Sequence, residues 1–317
     1  MVRGLFGALP LQVSYYRSEV MDRLVDRLQH ESFDIVFGQL FRVRPWVDRF
    51  TGSRRMLEMS DAISLTLRRA LPGRPAWLRP LLAEELRRVE RYEAETLRVI
   101  EEAWVVSEVD RRALLELEPR GRITVVPSGV ETTWAGAALA SREEKSDVLF
   151  LGNLTVNHNI DCARYLAHEI WPIVRRARPE ARLWLVGAAG RAVAPLGREP
   201  GVQLPGFVAD LRPILERSAA AIAPLRYGAG LQNKALETMA AGVPTVVTPQ
   251  VNASIGAEPG REIIVTEGAA GLAEALVRLM ADPAAARPLG EAGSRFVLAR
   301  FSWDRAGERM AEILQGL

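Results

Sequence analysis

Cysteine, lysine and histidine are all scarce in this 317-residue chain. The single cysteine, Cys162, excludes an intrachain disulfide and fits a reducing compartment, so the cytoplasm is the expected location. Three scattered histidines (His30, His158 and His168) give no metal-ligand spacing, and no metal site is expected. Of 41 basic residues only Lys145 and Lys234 are lysine, which singles each out for a position that arginine does not fill. No apolar run approaches the roughly 18 residues of a spanning helix. The first 20 residues are broken by Pro10 and polar side chains and carry no signal-peptide pattern. Missing too are a GxxxxGK[ST] loop and a GxSxG elbow, which sets aside P-loop and serine-hydrolase chemistry. The stretch GAAG at 187–190 does not match GxGxxG, and no acidic residue follows a second strand at the right distance, so a nicotinamide dehydrogenase is disfavoured.

What is present describes a soluble globular protein: 48% hydrophobic and 25% charged residues, with a mean hydropathy of +0.01. The length allows two domains with sizeable cores. Basic residues are interleaved with 39 acidic ones, so no basic stripe marks a nucleic-acid partner. An isoelectric point near 8.9 permits peripheral attraction to the anionic inner face of a membrane without requiring it.

Short apolar strands alternating with helical patterns predict an α/β fold built on parallel sheets. In the C-terminal half, strands are expected at 148–151, 183–186, 220–223, 245–247 and 263–265. Between the first two, Ile160, Ala163, Leu166, Ala167, Ile170, Trp171 and Val174 share one helical face, with Asn159 as the expected N-cap. The tail beyond Asp282 reads as two helices, the last capped by Ser302. The first 130 residues predict helix 19–29, strand 33–37, strand 55–59, helix across 81–102, strand 103–106, a helix capped by Ser107 and strand 123–126. A doubly wound sheet normally opens with a strand and a glycine-rich turn, so an opening unit is expected to be missing. The expected division is a partial N-terminal domain at 1–130, a linker at 131–146, a second domain at 147–300, and a final helix at 301–317 returning to the first domain.

The richest stretch is APLRYGAGLQNKALETMAAGVPTVVT at 223–248. A strand ends at Pro224, a flexible turn follows at Gly228-Ala229-Gly230, and a helix is expected to begin near Leu231. Glycines let a backbone approach a ligand closely, and a helix start offers unpaired N–H groups with partial positive charge. Together they suit a phosphate or diphosphate. Lys234 adds charge in the first turn, and Glu237 can accept from sugar or ribose hydroxyls. Leu231, Ala235, Met239 and Ala240 are expected to form the buried stripe, leaving Asn233, Lys234 and Glu237 off the core. Alone, Lys234 and Glu237 read more readily as an exposed helical ion pair than as a site. Their place beyond the carboxyl end of a strand favours a site.

The string GAGLQNKALETMAAGVPTVV resembles the donor-site signature of retaining GT-B glycosyltransferases, the group 1 or family 4-like enzymes. The form GAGLQNK-x-LE-x-MA is most similar to sugar transferases associated with PEP-CTERM/exosortase exopolysaccharide systems. VVPSGVE, VLFLGNLTVNHNIDCARYLAHEIWPIVRRARP, ARLWLVG, LPGFVADLRPIL, PGREIIVTEG and FSW agree in order and spacing, and VSYYRSEVMDRLVDRLQHESFDIV and the VVSEVD turn extend the similarity forward. The resemblance implies a GT-B fold, two Rossmann-like domains facing a cleft, the N-terminal one incomplete. It implies a UDP- or GDP-sugar donor, no cofactor or metal, and a lipid-linked or glycan acceptor. By it Phe207 and Val208 would frame the base, Gly152 and Asn153 line the phosphates, Gly228, Gly230, Leu231 and Gln232 meet the diphosphate, and Glu237 the ribose. Lys234 and Arg226 would neutralise the leaving diphosphate. Asp61 resembles an acidic position facing the cleft, and a helix N-cap explains it as well. Two departures from the wider family stand out: Ala229 occupies the place of the first of two glutamates eight residues apart, and Asn153 and, approximately, His158 replace an Arg and a Lys. The closer subgroup shares them. A non-catalytic nucleotide-sugar-binding protein and a sugar-nucleotide epimerase of the same architecture remain alternatives.

Overall fold

The structure is a computed structural model that describes residues 7–140 and 145–316. It separates into two compact units, one of Met1–Pro127 with Tyr227–Leu231, the other of Ser128–Arg226 with Gln232–Leu317.

The first unit is built on four parallel strands in the order β1 (Ile35–Gln39), β2 (Arg54–Ser60), β3 (Glu102–Val105) and β4 (Ile123–Val125). The helix Arg79–Val99 covers this sheet. Its Val89, Tyr92, Glu93, Thr96 and Leu97 recur at helical spacing and are all buried. Pro80 is tolerated in its first turn, and Arg88 pairs with Glu84 one turn back on its outer face. Tyr92 and Leu97 join Phe41, Leu57, Met59, Val105 and Leu114 in one core. Each such side chain contributes about 1.5–3 kcal/mol of burial. Strand β2 ends in an irregular register at Glu58–Ser60, and Ser60 takes a φ of 62°. That left-handed conformation costs a non-glycine residue about 1–2 kcal/mol. Ser60 is held in it by Val106 N–H donating to its carbonyl at 2.8 Å, while its hydroxyl donates to Glu58 Oε1 at 2.7 Å.

The second unit carries six parallel strands: β5 (Asp147–Leu151), β6 (Leu183–Val186), β7 (Val202–Gly206), β8 (Ser218–Ala223), β9 (Thr245–Val247) and β10 (Ile264–Val265). Their order is β10-β9-β8-β5-β6-β7. Strands β5 and β8 are buried along their whole length, which is why VLFL and AAAIA read as unbroken apolar runs. Strand β7 has no counterpart in the sequence expectation. It lies at the sheet edge, is partly exposed, and carries Pro205 as its penultimate residue, which an edge strand tolerates.

The helix after β5 differs from expectation in two ways. It starts at Asn157, with Val156 extended before it. Asn159 is therefore not the N-cap: it is buried, and its Nδ2 donates to the Asn153 carbonyl at 3.0 Å. The expected apolar face is buried from Ala163 to Val174, with Ile160 partly buried, but it runs through a π-helical turn at Leu166–Ile170 before Trp171–Ala177. Pro172, which has no N–H to give the ladder, opens that last segment.

Nor do the described residues of the expected linker hang free. Gly136 N–H donates to the Ala240 carbonyl at 2.9 Å and Ala138 N–H to Ala241 at 3.0 Å. Ala138 is buried with Leu149, Ala221 and Val243. Lys145 Nζ donates to the carbonyls of Ala138 (2.7 Å) and Glu216 (3.3 Å), a structural task for one of the two lysines. Residues 141–144 of the expected linker lie outside the described residues. The two C-terminal helices, Pro283–Arg300 and Trp303–Gln315, start at Asp282 and Ser302, whose side chains accept from Ala285 and Arg305 N–H. The last helix, expected to return to the first domain, groups with the second unit, where Val130 N–H donates to the Phe301 carbonyl at 2.8 Å. Among the described residues no helix is long and apolar enough to cross a membrane.

Gly242 adopts a φ of +82°, and a Cβ there would collide with the Leu139 side chain. Gly242→Ala is expected to destabilise the chain by about 1–3 kcal/mol. Urea denaturation checks it; an unchanged midpoint would contradict the packing of 136–140 on this turn.

Candidate functional site

In the second unit strands are added outward in two directions, β5-β6-β7 on one side and β8-β9-β10 on the other. The loops leaving β5 and β8 therefore diverge, and the carboxyl end of such a pair is where open α/β sheets bind ligands. Gly152 and Asn153 follow β5 there, and Pro224, Leu225 and Arg226 follow β8. Gly187, after β6, has a φ of +138°, and a Cβ on it would collide with the Gly152 carbonyl, so these two loops pack backbone to backbone. Gly152 itself rests against the side chain of Asn159. Asn153 Oδ1 accepts from Thr155 N–H at 3.0 Å and from its hydroxyl at 2.7 Å, which fixes the turn. After β7 comes Phe207, 78% exposed, with Val208 half-buried behind it against Leu149, Val186 and their neighbours.

The helix beyond β8 spans Asn233–Ala240, two residues later than expected, with Gln232 at the cap position. Gly230, at a φ of +75°, is not helical, and this delays the start. No side chain caps it, so its first N–H groups lack partners within the helix. The buried stripe is Ala235, Leu236, Met239 and Ala240; Leu231 is only partly buried, because the chain there is not yet helical. Lys234 is half-buried in the first turn. Its Nζ donates to Gln232 Oε1 at 2.7 Å and lies 6.0 Å from the Phe150 ring centre. Burial lowers its ammonium pKa, opposed by Cys162 and Glu237. Burial raises the Glu237 carboxyl, and Lys234 pulls it back. Burial and then Lys234 push His158 down to about 4, so it is neutral at physiological pH. Cys162 is fully buried with its thiol pushed up to about 12, an inert core residue.

Arg226 is differently placed. Its Nε and Nη2 donate to the two Asp161 oxygens at 3.0 and 2.6 Å, Glu169 lies 3.7 Å away, and its guanidinium sits 4.6 Å from the Tyr165 ring centre. Its charge is already matched by carboxylates. Lys234 is the cation at this strand end that donates to a neutral amide instead.

The intervening loop Tyr227–Leu231 groups with the first unit. Arg69 Nη1 donates to the Gly228 carbonyl at 2.7 Å, Arg74 lies over the Tyr227 ring at 5.2 Å, and Gly230 N–H donates to Asp110 Oδ1 at 3.3 Å. A side chain at Gly230 would press on Asp61. Asp110, fully buried, also accepts from Ala62 N–H at 3.0 Å through Oδ1 and from the Ser107 hydroxyl through Oδ2. The sequence reading passed over Asp110, although Ser107-x-x-Asp110 is a helix-start pattern whose third-residue carboxylate faces back toward the cap. Asp61 is not a helix cap: Ala62 occupies that position for Ile63–Ala70, and no side chain caps it. Burial foremost, then Asp110 and Glu58, push the Asp61 carboxyl up to about 6. Among the described residues no cluster of three or more His, Cys, Asp or Glu is arranged to hold a metal ion.

Between its ordinary pKa near about 4 and the folded value of about 6, Asp61 holds a proton more tightly in the folded chain than in the unfolded one. Its contribution to stability therefore falls as pH rises through that window. Asp61→Asn is expected to stabilise the chain at pH 7.5, by the order of 1–3 kcal/mol, and to leave stability unchanged near pH 4. Thermal unfolding of both proteins across this range tests it; an equal shift at both pH values would contradict the assignment.

Residues 145–282 match the family model described as glycosyl transferases group 1. A GDP-mannose-dependent monoacylated alpha-(1-6)-phosphatidylinositol monomannoside mannosyltransferase of Corynebacterium glutamicum is 34% identical over 160 residues, 45% of this chain and 41% of that protein. The match thus spans about two fifths of the relative's length. Among solved structures, a sucrose-phosphate synthase from Thermosynechococcus elongatus superposes with a TM-score of 0.74 at 17% identity, covering 94% of this chain and 77% of that one. Anabaena Alr3699/HepE in complex with UDP and glucose gives 0.71 at 14% identity, covering 95% and 82%. The fold is GT-B-like α/β, with two Rossmann-like domains each built on a parallel sheet.

Proposed function

We propose that the chain transfers a sugar from a UDP- or GDP-sugar to a lipid-linked or polysaccharide acceptor in surface or exopolysaccharide synthesis, with retention and without a metal. The observation that carries this reading is the uncapped start of the helix Asn233–Ala240 beside Lys234, next to the crevice between β5 and β8. The donor's diphosphate rests against that helix start, met by Gln232, with Gly152 and Asn153 on the β5 side. Phe207 and Val208 frame the base, and Glu237 accepts from the ribose. Here the bond between the anomeric carbon and the diphosphate breaks, the acceptor oxygen bonds to that carbon, and the acceptor proton leaves with the diphosphate. Negative charge grows on the departing oxygen, where fixed N–H dipoles and the Lys234 ammonium stabilise it more than they stabilise the bound donor. Arg226 joins them only by exchanging Asp161 for phosphate. The matched relative is named for a GDP-mannose donor and a matched structure holds UDP and glucose, which supports a nucleotide-sugar donor and leaves both bases in play.

Ala229, in the place of a glutamate, favours one second reading: a chain that binds a nucleotide sugar without transferring it. Transfer from radiolabelled UDP- and GDP-sugars to extracted lipid and glycan acceptors separates the two. Lys234→Ala is expected to lower kcat by about 10²–10³-fold, as for loss of one group stabilising a transition-state charge, with the circular dichroism spectrum unchanged. Unchanged turnover in that variant would remove the mechanism, and donor binding with no transfer by the unaltered chain would identify the second reading.

A further inference from the structure

The first unit contains a cavity of about 220 Å³ whose lining includes Arg17, Asp22, Arg42, Trp46 and Arg49. One side of it is electrically closed. Arg49 pairs with Asp22 at 3.8 Å and with Asp26, and Trp46 Nε1 donates to Asp22 Oδ1 at 2.9 Å. The other side is not. Among the described residues neither Arg17 nor Arg42 has a carboxylate within ion-pair distance. The Arg42 guanidinium carbon lies over the Tyr16 ring, 4.4 Å from its centre. Arg42 belongs to the turn Phe41–Val43 that follows β1, so the cavity opens at the carboxyl edge of the four-stranded sheet, the edge that also carries Asp61 beyond β2. The carboxyl edge of a parallel sheet is where α/β folds place ligands.

Two guanidinium groups without an ion pair around a small concavity, one of them within electrostatic reach of Asp61, select an anion, and their planar forks match phosphate oxygens. The cavity is smaller than the about 300–1,000 Å³ that encloses a drug-sized ligand, so it suits a charged group whose remainder lies outside. Next to it in the chain stand Tyr15, 70% exposed, and Val20, 69% exposed, with Met21 and Leu24 uncovered on the helix Glu19–Leu28 that supplies Asp22. Apolar side chains left in water beside, in the chain, the residues that line a cationic cavity favour a phosphate attached to an apolar chain over free phosphate.

We propose that this cavity is a phosphate-binding site in which Arg17 and Arg42 hold the phosphate of an ester whose apolar chain runs over Tyr15 and Val20. The site takes the anionic end of an acceptor, which makes that acceptor phosphate-linked rather than a neutral glycan. That role rests on the transfer reading above; the binding itself does not.

Calorimetry on the full chain tests it, with geranyl phosphate and inorganic phosphate as probes and UDP and GDP as controls. Geranyl phosphate is expected to bind, and Arg17→Glu and Arg42→Ala each to weaken it by about tenfold, the size of one lost charge-assisted hydrogen bond. Arg17 is exposed, so its variant leaves the fold intact, and unchanged nucleotide binding confirms this. Lys234→Ala is expected to keep geranyl phosphate binding. Its effect on nucleotide binding bears only on the transfer reading. Equal affinity for inorganic phosphate, with the same losses in the arginine variants, upholds the anion site and assigns it to free phosphate. Wild-type affinity in both arginine variants, a loss confined to Lys234→Ala, or no binding of either phosphate would overturn the proposal.

Discussion

A helix that begins without a capping side chain directs its first N–H groups at whatever lies beyond it, and in this chain the helix Asn233–Ala240 does so beside a crevice that the sheet itself creates. Strand order fixes where the crevice is, because β5 and β8 are neighbours from which the chain departs in opposite directions. The burial of β5 and β8 fixes the strand ends, and Gly152 and Gly187 let two loops approach to backbone contact there. Lys234 then adds a cation whose hydrogen-bond partner is an amide. Remove the uncapped helix start and the remaining features are ordinary packing.

The loop ahead of that helix is held by groups of another kind. Asp110 accepts from the Gly230 and Ala62 N–H groups and from the Ser107 hydroxyl, so one buried carboxylate ties together three backbone segments. Such a carboxylate is satisfied by several donors at once, the condition under which a buried charge is tolerated. Asp61 lacks that provision. Its raised pKa and the left-handed Ser60 before it place two local costs at the same strand end, a concentration typical of positions kept for binding or chemistry rather than for stability.

The parts of this arrangement that were legible in the sequence are those set by local pattern. VLFL, AAAIA and TVV announced buried strands because a parallel sheet covered on both faces tolerates little else. Ser107 and Ser302 announced helix starts because a hydroxyl there accepts a backbone N–H. The glycines at 228 and 230 marked the turn. What escaped was set by tertiary context. Asn159 looks like a cap but serves as an internal brace for Asn153. Strand β7 gave no apolar run because it is a partly exposed edge. Arg226 read as a free cation because Asp161, 65 positions earlier, is brought to it only by folding. Segment 131–140 read as a linker because small residues such as Ala138 look like loop in sequence and like close packing in space. Asp110 had a readable local signal, but its grip on Gly230 spans 120 positions and had none.

The central claim is the location of the diphosphate, and a crystal structure of the chain with UDP or GDP bound tests it most directly. The account predicts the diphosphate within hydrogen-bond reach of the Asn233 and Lys234 N–H groups and of Lys234 Nζ, with the base beside Phe207. A nucleotide bound elsewhere, or the start of that helix covered by protein in the liganded state, would contradict it.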